Sequence, residues 1–368
     1  MKKIVVLLGT RPEVIKLAPV IKALKTRTKN FKVYVVATGQ HREMADSFLR
    51  HFDIKVDFNL NIMRENQTLT EVTSGILAKF EKEVCDKYHP DMIMVQGDTT
   101  TAFTAALAAF YRKIKIAHVE AGLRTSDKYS PFPEEMNRRM ISCIADFNFA
   151  PTKIAAENLH REGHAGKSVF LTGNTIVDAL KAYSRLLSGK KKISGPDGCG
   201  KMILITMHRR ENFGRPAEDV CNAVLKILDK HKDVFFRIPV HPNPNIKRVI
   251  EKHFGGNKRI IVSGPVAYDE ILGLINSAYI IMTDSGGIQE EAPAFGKPVL
   301  VLRENTERPE GIFAGVAKLV GTDRTRIIHN VSVLIDSPAE YKKMAKSRNP
   351  YGDGKASLRI ADILEKVL

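Results

Sequence analysis

The chain has no tryptophan and few cysteines, and these absences limit the kinds of protein it can be. Its four cysteines, at positions 85, 143, 199 and 221, form neither a C-x-x-C pair nor a dense framework. A small secreted domain held by disulfides is therefore excluded, and a reducing cytoplasmic location fits best. No apolar run approaches the ~20 residues that a membrane-spanning helix needs.

The N-terminal segment lacks the pattern of a secretion signal. The stretch MKKIVVLLGTRPEV begins with a basic pair, but its apolar run IVVLL is short and is soon followed by Arg11 and Glu13. This pattern predicts a first β-strand instead of a cleavable leader.

Basic residues outnumber acidic ones, with 57 Lys and Arg against 41 Asp and Glu, and the formal charge is +16. They are scattered, and the densest run is only GKKKI at 189–193. No stretch interleaves them with aromatic residues, as a nucleic-acid-binding surface would. The charge therefore favours solvated lysine-rich faces, or an acidic small ligand such as a nucleotide phosphate, over a nucleic acid.

Short apolar runs alternate with amphipathic helical patterns along all 368 residues, a length typical of two to three domains. Such runs are typical of parallel strands covered by helices on both faces. The alternation predicts an α/β protein with doubly wound parallel sheets. Strands are expected at KIVVLL, KVYVVA, MIMVQ, KIAHV and DFNFA in the first half, and at KMILITM, VFFRIPV, RIIVSG, AYIIMTD and KPVLVL in the second.

The alternation is interrupted once, in the Gly-, Lys- and Ser-rich stretch 187–201. We interpret this stretch as an edge loop of a second domain and place the crossover slightly earlier, near LTGNTIVD at 171–178. The sequence thus predicts two Rossmann-like domains, 1–172 and 173–355, with a cleft between them. Ligands of such sheets bind beyond the carboxyl ends of the strands, so the residues that follow each strand are the site candidates.

The first strand leads into GTRPEVIK, where Arg11 and Lys16 lie near the start of a helix. A helix N-terminus favours anions, so both residues are candidate phosphate contacts. A surface arginine beside a capped helix is the alternative. Neither G-x-G-x-x-G nor a Walker loop is present, which disfavours a dinucleotide site.

Three carboxylates lie near one edge of the first predicted sheet. Asp98 follows one strand, Glu120 follows the next, and Glu134, with Glu135 beside it, comes after two prolines. Separately, helix capping by Asp98 or Thr99 and an acidic first helical turn explain them without any site. Together they are candidates for an acid and a base, because clustered carboxylates push their pKa values apart.

In the second half, the strand KMILITM ends in HRRENFG, where His208 precedes Arg209 and Arg210. Arginine forms forked hydrogen bonds with phosphate oxygens, so this turn is a candidate anion clamp. His208 is also a candidate general acid or base.

The stretch TDSGG resembles the surroundings of a serine nucleophile. The elbow G-x-S-x-G would need glycine two residues before the serine, where a threonine stands, and chymotrypsin-like proteases are all-β. We therefore interpret Ser285, Gly286 and Gly287 as a phosphate cradle that begins a helix. Glu291 is a candidate acceptor for ribose hydroxyls, and Arg308 offers a further cation.

A metal site is not expected. The stretch HREGH places His160 and His164 four residues apart, but it lacks the H-E-x-x-H order and contains a glycine.

Seven motifs, in order from residue 9 to residue 311, resemble those of the non-hydrolysing UDP-N-acetylglucosamine 2-epimerases. They are GTRPEVIKLAP, VQGDTTT, HVEAGLRT, YSPFPEEMNRR, HRRENFG, TDSGGIQEEAP and TERPEG. The resemblance implies the GT-B fold, UDP bound in the cleft, no redox cofactor and a homodimer. It also implies that a C-terminal helix, residues 356–368 here, packs back on the first domain.

The implied reaction interconverts UDP-GlcNAc and UDP-ManNAc, as expected for surface polysaccharide precursors. By the same resemblance, the acid/base candidates are Asp98, Glu120, Glu134 and His208. The implied contacts to UDP or substrate are Arg11, Lys16, Asp98, Glu120, His208, Ser285, Gly286, Gly287 and Arg308, with Glu291 on the ribose.

Some family members bind a second UDP-GlcNAc as an activator. The matching residues here are Gln40, His41, Gln67, Glu135, Arg209 and His241. The chain departs from the usual pattern at Glu43 and Asn66.

Three alternative functions stay open on the sequence alone. A glycosyltransferase of the same fold shares the GG…EA…GKP pattern, and a hydrolysing epimerase would release free ManNAc. A basic nucleotide- or nucleic-acid-binding protein would show steep salt dependence and no turnover.

Overall fold

A computed structural model describes residues 1–39, 49–50, 52–62, 67–125, 127–187, 193, 195–240 and 243–368. The chain divides into two compact units. Unit 1 comprises residues 1–182 and 351–368, and unit 2 comprises residues 183–350. The predicted domain limits at 172 and 173 stay a prediction.

Unit 1 is built on a seven-stranded parallel sheet in the order β3-β2-β1-β4-β5-β6-β7. Its strands are β1 Lys2–Leu8, β2 Phe31–Ala37, β3 Phe58–Asn59, β4 Met92–Gln96, β5 Lys115–Val119, β6 Phe147–Ala150 and β7 Val169–Leu171. The α-helices are Arg11–Lys25, Leu69–Phe80, Asp86–Tyr88, Thr100–Tyr111, Glu134–Ile144, Lys153–Arg161, Thr175–Leu187 and Ala356–Val367, with a π-helix at Glu81–Cys85. The helix Thr175–Leu187 begins in unit 1 and continues into unit 2 from residue 183.

Apolar burial on both faces explains why the strands of unit 1 are nearly continuous apolar runs. All of Ile4 to Leu8 in β1 is buried, as is all of β4. The helix Arg11–Lys25 begins after Thr10, whose main-chain N–H donates to the side chain of Glu13. This capping box is readable in the sequence as T-x-x-E.

The last helix, Ala356–Val367, belongs to unit 1 and packs against helix Arg11–Lys25. Asp178 accepts hydrogen bonds from the main-chain N–H groups of Ala356, at 3.1 Å, and Ser357, at 2.8 Å. These two bonds satisfy N–H groups that the first turn of a helix leaves without intrahelical partners.

Unit 2 contains a six-stranded parallel sheet in the order β10-β9-β8-β11-β12-β13. Its strands are β8 Lys201–Thr206, β9 Val234–Pro239, β10 Ile260–Ser263, β11 Ile280–Thr283, β12 Val299–Val301 and β13 Ala317–Leu319. The α-helices are Arg215–Lys230, Pro244–Phe254, Tyr268–Ser277, Gly286–Glu291, Pro309–Phe313, Arg324–Asp336 and Pro338–Ala345, with 3₁₀ turns at Pro196–Gly198, Arg210–Asn212 and Ala292–Phe295.

The α/β fold class with parallel sheets is confirmed. The ten strands expected from apolar runs are present, whereas β3, β7 and β13 were not predicted. These three have only two or three residues each and do not lie within a longer apolar run, unlike the equally short β12, which lies within KPVLVL.

Candidate active site

In unit 1, the residues that follow β1, β4 and β5 lie at one edge of the sheet, because neighbouring parallel strands end at the same edge. Arg11 is the first residue of the helix after β1. Asp98 lies two residues beyond β4, and Glu120 follows β5 directly. The sheet therefore places these three predicted residues at its carboxyl edge.

Glu120 is the most constrained of the predicted carboxylates. Its backbone has φ +65°, a left-handed conformation that residues other than glycine rarely adopt. Lys16 Nζ and Asn174 Nδ2 donate to its Oε1, the latter at 3.1 Å, and Gln96 Nε2 donates to its Oε2. Because each partner is an N–H donor, the pocket stabilises the ionised carboxylate.

Asp98 is held by a cation and by the neighbouring helix. Its carboxylate pairs with Arg138 at 2.7 Å, and its main-chain oxygen accepts a hydrogen bond from Asn137 Nδ2 at 2.9 Å. Helix capping was the alternative role for Asp98, but Thr99 is the N-cap residue. Its Oγ1 accepts a hydrogen bond from the N–H of Ala102 at 3.0 Å. The Asp98 side chain is thus directed to Arg138 and not to helix capping.

Glu134 and Glu135 begin the helix Glu134–Ile144, but their surroundings differ. Glu134 is half-buried, whereas Glu135 is fully buried and accepts hydrogen bonds from Arg139 Nε, at 2.7 Å, and from the N–H of Thr125, at 3.0 Å. Arg138 lies 3.4 Å from Glu135 and also pairs with Asp98, so it connects this helix with the turn after β4.

Glu13 is a buried carboxylate of this edge that motif analysis missed. It accepts hydrogen bonds from the N–H of Gly9, at 3.1 Å, and from Thr99 Oγ1, at 2.9 Å. Burial raises the pKa of Glu13, although its hydrogen bonds with Thr10 oppose the shift. A side chain at position 9 would begin only 2.8 Å from Glu13 Oε2, so a larger residue there would displace this carboxylate.

His118 is a second missed residue, buried on β5 two residues before Glu120. Its Nε2 lies 2.8 Å from the carbonyl oxygen of Gly97, to which the neutral ring donates. Burial lowers the pKa of His118 to about 4. The ring is therefore uncharged near neutral pH and supports the turn that carries Asp98.

In unit 2, Asp284 organises the turns after β8 and β11. It is fully buried and accepts hydrogen bonds from His208 Nδ1 at 2.8 Å and from the N–H groups of His208 and Arg209, both at 2.9 Å. Asn212 Nδ2 donates to the same carboxylate at 2.9 Å. Burial raises the pKa of Asp284, but His208 and these N–H donors outweigh it and leave the pKa below its ordinary value.

The predicted phosphate cradle begins the helix Gly286–Glu291, and Ser285 is its N-cap. Ser285 Oγ accepts from the N–H of Ile288 at 3.5 Å. A side chain at Gly286 would start 3.4 Å from the guanidinium carbon of Arg308, so the arginine lies next to this turn. The structure therefore brings Ser285, Gly286 and Arg308 together.

The two acidic residues of that helix have separate partners. Glu290 pairs with Arg308 Nε at 2.8 Å, which balances a carboxylate that would otherwise repel a phosphate. Glu291 accepts a hydrogen bond from the Tyr268 hydroxyl at 2.7 Å. Neither pairing was predicted, because the partners lie 18 and 23 residues away in sequence.

Of the residues predicted for an activator site, Gln67, Glu135 and Arg209 are among the described residues. Gln67 Nε2 donates to the carbonyl of Ile62 at 3.2 Å, and Arg209 lies 3.5 Å from Glu307. The other predicted residues and positions of departure lie outside the described residues, namely Gln40, His41, His241, Glu43 and Asn66.

Within the described ranges, no group of three His, Cys, Asp or Glu side chains is arranged to hold a metal ion. His160 Nδ1 lies 3.3 Å from the carbonyl oxygen of His164. No helix in the described part of the chain is long and apolar enough to cross a membrane.

The two parallel α/β sheets define the class of protein: a GT-B-like fold, which epimerases and glycosyltransferases of nucleotide sugars share. The family model described as UDP-N-acetylglucosamine 2-epimerase matches residues 22–365. The chain belongs to the UDP-N-acetylglucosamine 2-epimerase family. It is an isomerase that interconverts UDP-GlcNAc and UDP-ManNAc.

Individual relatives agree over nearly the full length. The chain is 48% identical over 363 residues to the UDP-N-acetylglucosamine 2-epimerase of Bacillus subtilis (strain 168), covering 98% of this chain and 94% of that protein. It superposes with a TM-score of 0.88 and 43% identity on the Neisseria meningitidis UDP-GlcNAc 2-epimerase bound to UDP-GlcNAc, covering 100% of each. The Methanocaldococcus jannaschii enzyme in complex with UDP-GlcNAc and UDP has a TM-score of 0.80 and 34% identity, covering 99% of each.

Proposed function

We propose that the chain epimerises UDP-GlcNAc without hydrolysis, by elimination and re-addition of UDP. A base removes the proton from C2 of the sugar while the C1–O bond to UDP breaks, which gives 2-acetamidoglucal and UDP. UDP then adds back to C1, and a proton is delivered to the opposite face of C2. Atoms and charges balance without a redox cofactor.

The observation that carries this proposal is the arrangement around Glu120. A C2–H is a very weak carbon acid, so its base must be ionised and accurately placed. Glu120 receives hydrogen bonds from Lys16, Gln96 and Asn174. We assign the proton transfers to Glu120, Asp98 and Glu134, with no assignment of one carboxylate to one face.

The UDP leaving group is assigned to His208, Arg308 and the turn from Ser285 to Gly287. The family resemblance adds Arg11 and Lys16 as candidate contacts. The turn from Ser285 to Gly287 offers main-chain N–H groups to a diphosphate, and Arg308 adds a cation. Asp284 accepts from His208 Nδ1, which orients the histidine ring. Glu291 is assigned to the ribose hydroxyls.

The complexes of the Neisseria and Methanocaldococcus relatives support UDP-GlcNAc as the substrate of this chain. The family resemblance further supports a homodimer and a role in surface polysaccharide precursor synthesis. Four free cysteine thiols fit a reducing cytoplasm. A second UDP-GlcNAc as activator remains part of the proposal, with the contacts that the resemblance implies, namely Gln40, His41, Gln67, Glu135, Arg209 and His241. Light scattering tests the dimer.

Isosteric substitutions test the assignment of the carboxylates. Asp98→Asn and Glu120→Gln remove a base without changing its shape, so turnover should fall by about 10²-fold or more. UDP binding, measured by calorimetry, should persist. Glu365→Gln is the matched control, because Glu365 is an exposed glutamate of the last helix that pairs with Arg27 at 2.7 Å. Near-normal turnover in both site variants would refute their catalytic assignment.

A further inference from the structure

Asn174 lies where β7 ends and the helix Thr175–Leu187 begins, and its side chain is buried. Its Oδ1 accepts a hydrogen bond from the N–H of Ile176 at 3.0 Å, as an N-cap residue does. That bond decides the orientation of the amide, because the oxygen must face the helix. The NH₂ group therefore points the other way.

The NH₂ group of Asn174 donates to Glu120 Oε1 at 3.1 Å. Gln96, also buried, donates to the other carboxylate oxygen. Lys16 pairs with Glu120 Oε1, and its helix also carries Arg11 and Glu13. The other titratable groups on neighbouring elements include Asp98 in the turn after β4, His118 on β5 and Asp178 on the helix that Asn174 caps. Asn174 is thus a neutral donor to a carboxylate that already has a cation.

The main chain of Asn174 is fixed by the returning C-terminal segment. Its N–H donates to the carbonyl of Tyr351 at 2.7 Å, and Tyr351 is buried. A side chain at Gly352, whose φ is +138°, would begin 3.5 Å from the nitrogen of Asn174. Residues 351 and 352 therefore lie against the main chain of Asn174.

We infer that Asn174 is a positioning residue for the epimerase reaction, which orients Glu120 and keeps its carboxylate ionised. The inference rests on the proposed function, since it acts through the catalytic role of Glu120. It also gives the C-terminal segment a link to the reaction, through the hydrogen bond from Asn174 to Tyr351.

Asn174→Asp separates this role from a purely structural one. Aspartate caps a helix about as well as asparagine, so a capping role alone predicts no change. A positioning role predicts a large change, because the oxygen that replaces the NH₂ group would face Glu120 Oε1 and two like charges would share the site. We expect kcat at neutral pH to fall about tenfold or more, with KM for UDP-GlcNAc within about threefold.

The pH profile gives the readout that folding alone would not move. A neighbouring carboxylate raises the pKa of Glu120, so the acid limb of kcat/KM should move up by about one pH unit in Asn174→Asp. Asn174→Ser, which retains a good cap but is too short to reach Glu120, should show a smaller shift in the same direction. If Asn174→Asp does not fold, the pH profile of Asn174→Ser tests the positioning role in its place.

Asn30→Asp is the matched control. Asn30 Nδ2 donates to Glu365, an exposed glutamate, so the change places a carboxylate beside a glutamate away from the site. Its kinetics should equal those of the unmodified protein. Wild-type kcat and pH profile in Asn174→Asp and Asn174→Ser, with Glu120→Gln inactive, would overturn the role of Asn174 alone. Normal turnover in Glu120→Gln would overturn the proposed function beneath it.

Discussion

At the scale of single residues, the stretch TDSGG illustrates how neighbours decide a role. The motif resembles the surroundings of a serine nucleophile, but Ser285 Oγ caps a helix. The residue before it, Asp284, is fully buried and holds the main chain of His208 and Arg209. An aspartate within a short motif gives no sequence signal for this role, because its donors come from a strand end more than seventy residues earlier.

His118 gives a residue-scale prediction about pH. Its pKa is about 4 in the folded protein and 6.5 in the unfolded chain. The stabilisation from the neutral ring is fully present above pH 6.5 and is lost as pH falls toward 4. An NMR titration, with the resonance assigned by its absence in His118→Gln, should give a midpoint near 4.

Exposed His329 serves as the reference for that titration, since its substitution should leave the His118 resonance unchanged. A midpoint for His118 between pH 6 and 7 would mean that the ring is not desolvated. It would then not be the neutral support of the Gly97 carbonyl.

At the scale of elements, the sequence predicts long apolar strands well and very short ones poorly. β1, β4 and β5 are apolar runs, and their ends correctly identified Asp98 and Glu120 as strand-end residues. β7, with only three residues, was missed, and so the position of Asn174 at a strand end was missed too. Partners such as Gln96 depend on pairing between strands, which local sequence does not reveal.

The turn after β5 gives an element-scale prediction. Gly122 has φ +91°, and a side chain there would begin 2.2 Å from the carbonyl oxygen of Ala155. Gly122→Ala should therefore destabilise unit 1 by about 3 kcal/mol or more, because backbone must move. Gly163→Ala is the matched control, with φ +87° and no atom within 4 Å, and should cost only about 1 kcal/mol.

Thermal unfolding of both glycine variants measures this difference. Equal losses would show that backbone conformation alone matters at Gly122. The account requires the larger loss at Gly122, since the contact with Ala155 fixes the turn that follows Glu120.

At the scale of the whole molecule, the order of motifs predicted the fold class and the family, and both are confirmed. The packing of residues 356–368 on the first domain was expected only from the family resemblance, and residues 351–355, which also belong to unit 1, were not part of that expectation. The hydrogen bond between the main chains of Asn174 and Tyr351 could not be predicted from the sequence, because all of unit 2 separates the two residues along the chain. The roles of the individual site residues stay predictions.

The most direct test of elimination and re-addition is proton NMR of UDP-GlcNAc incubated with the protein in D₂O. The account predicts UDP-ManNAc at equilibrium with UDP-GlcNAc, and deuterium at C2, because the C2 proton is exchanged with solvent. Glu120→Gln, measured in parallel, should leave both the sugar and its C2 proton unchanged. Free ManNAc as the main product, or UDP-ManNAc that retains protium at C2, would contradict the account.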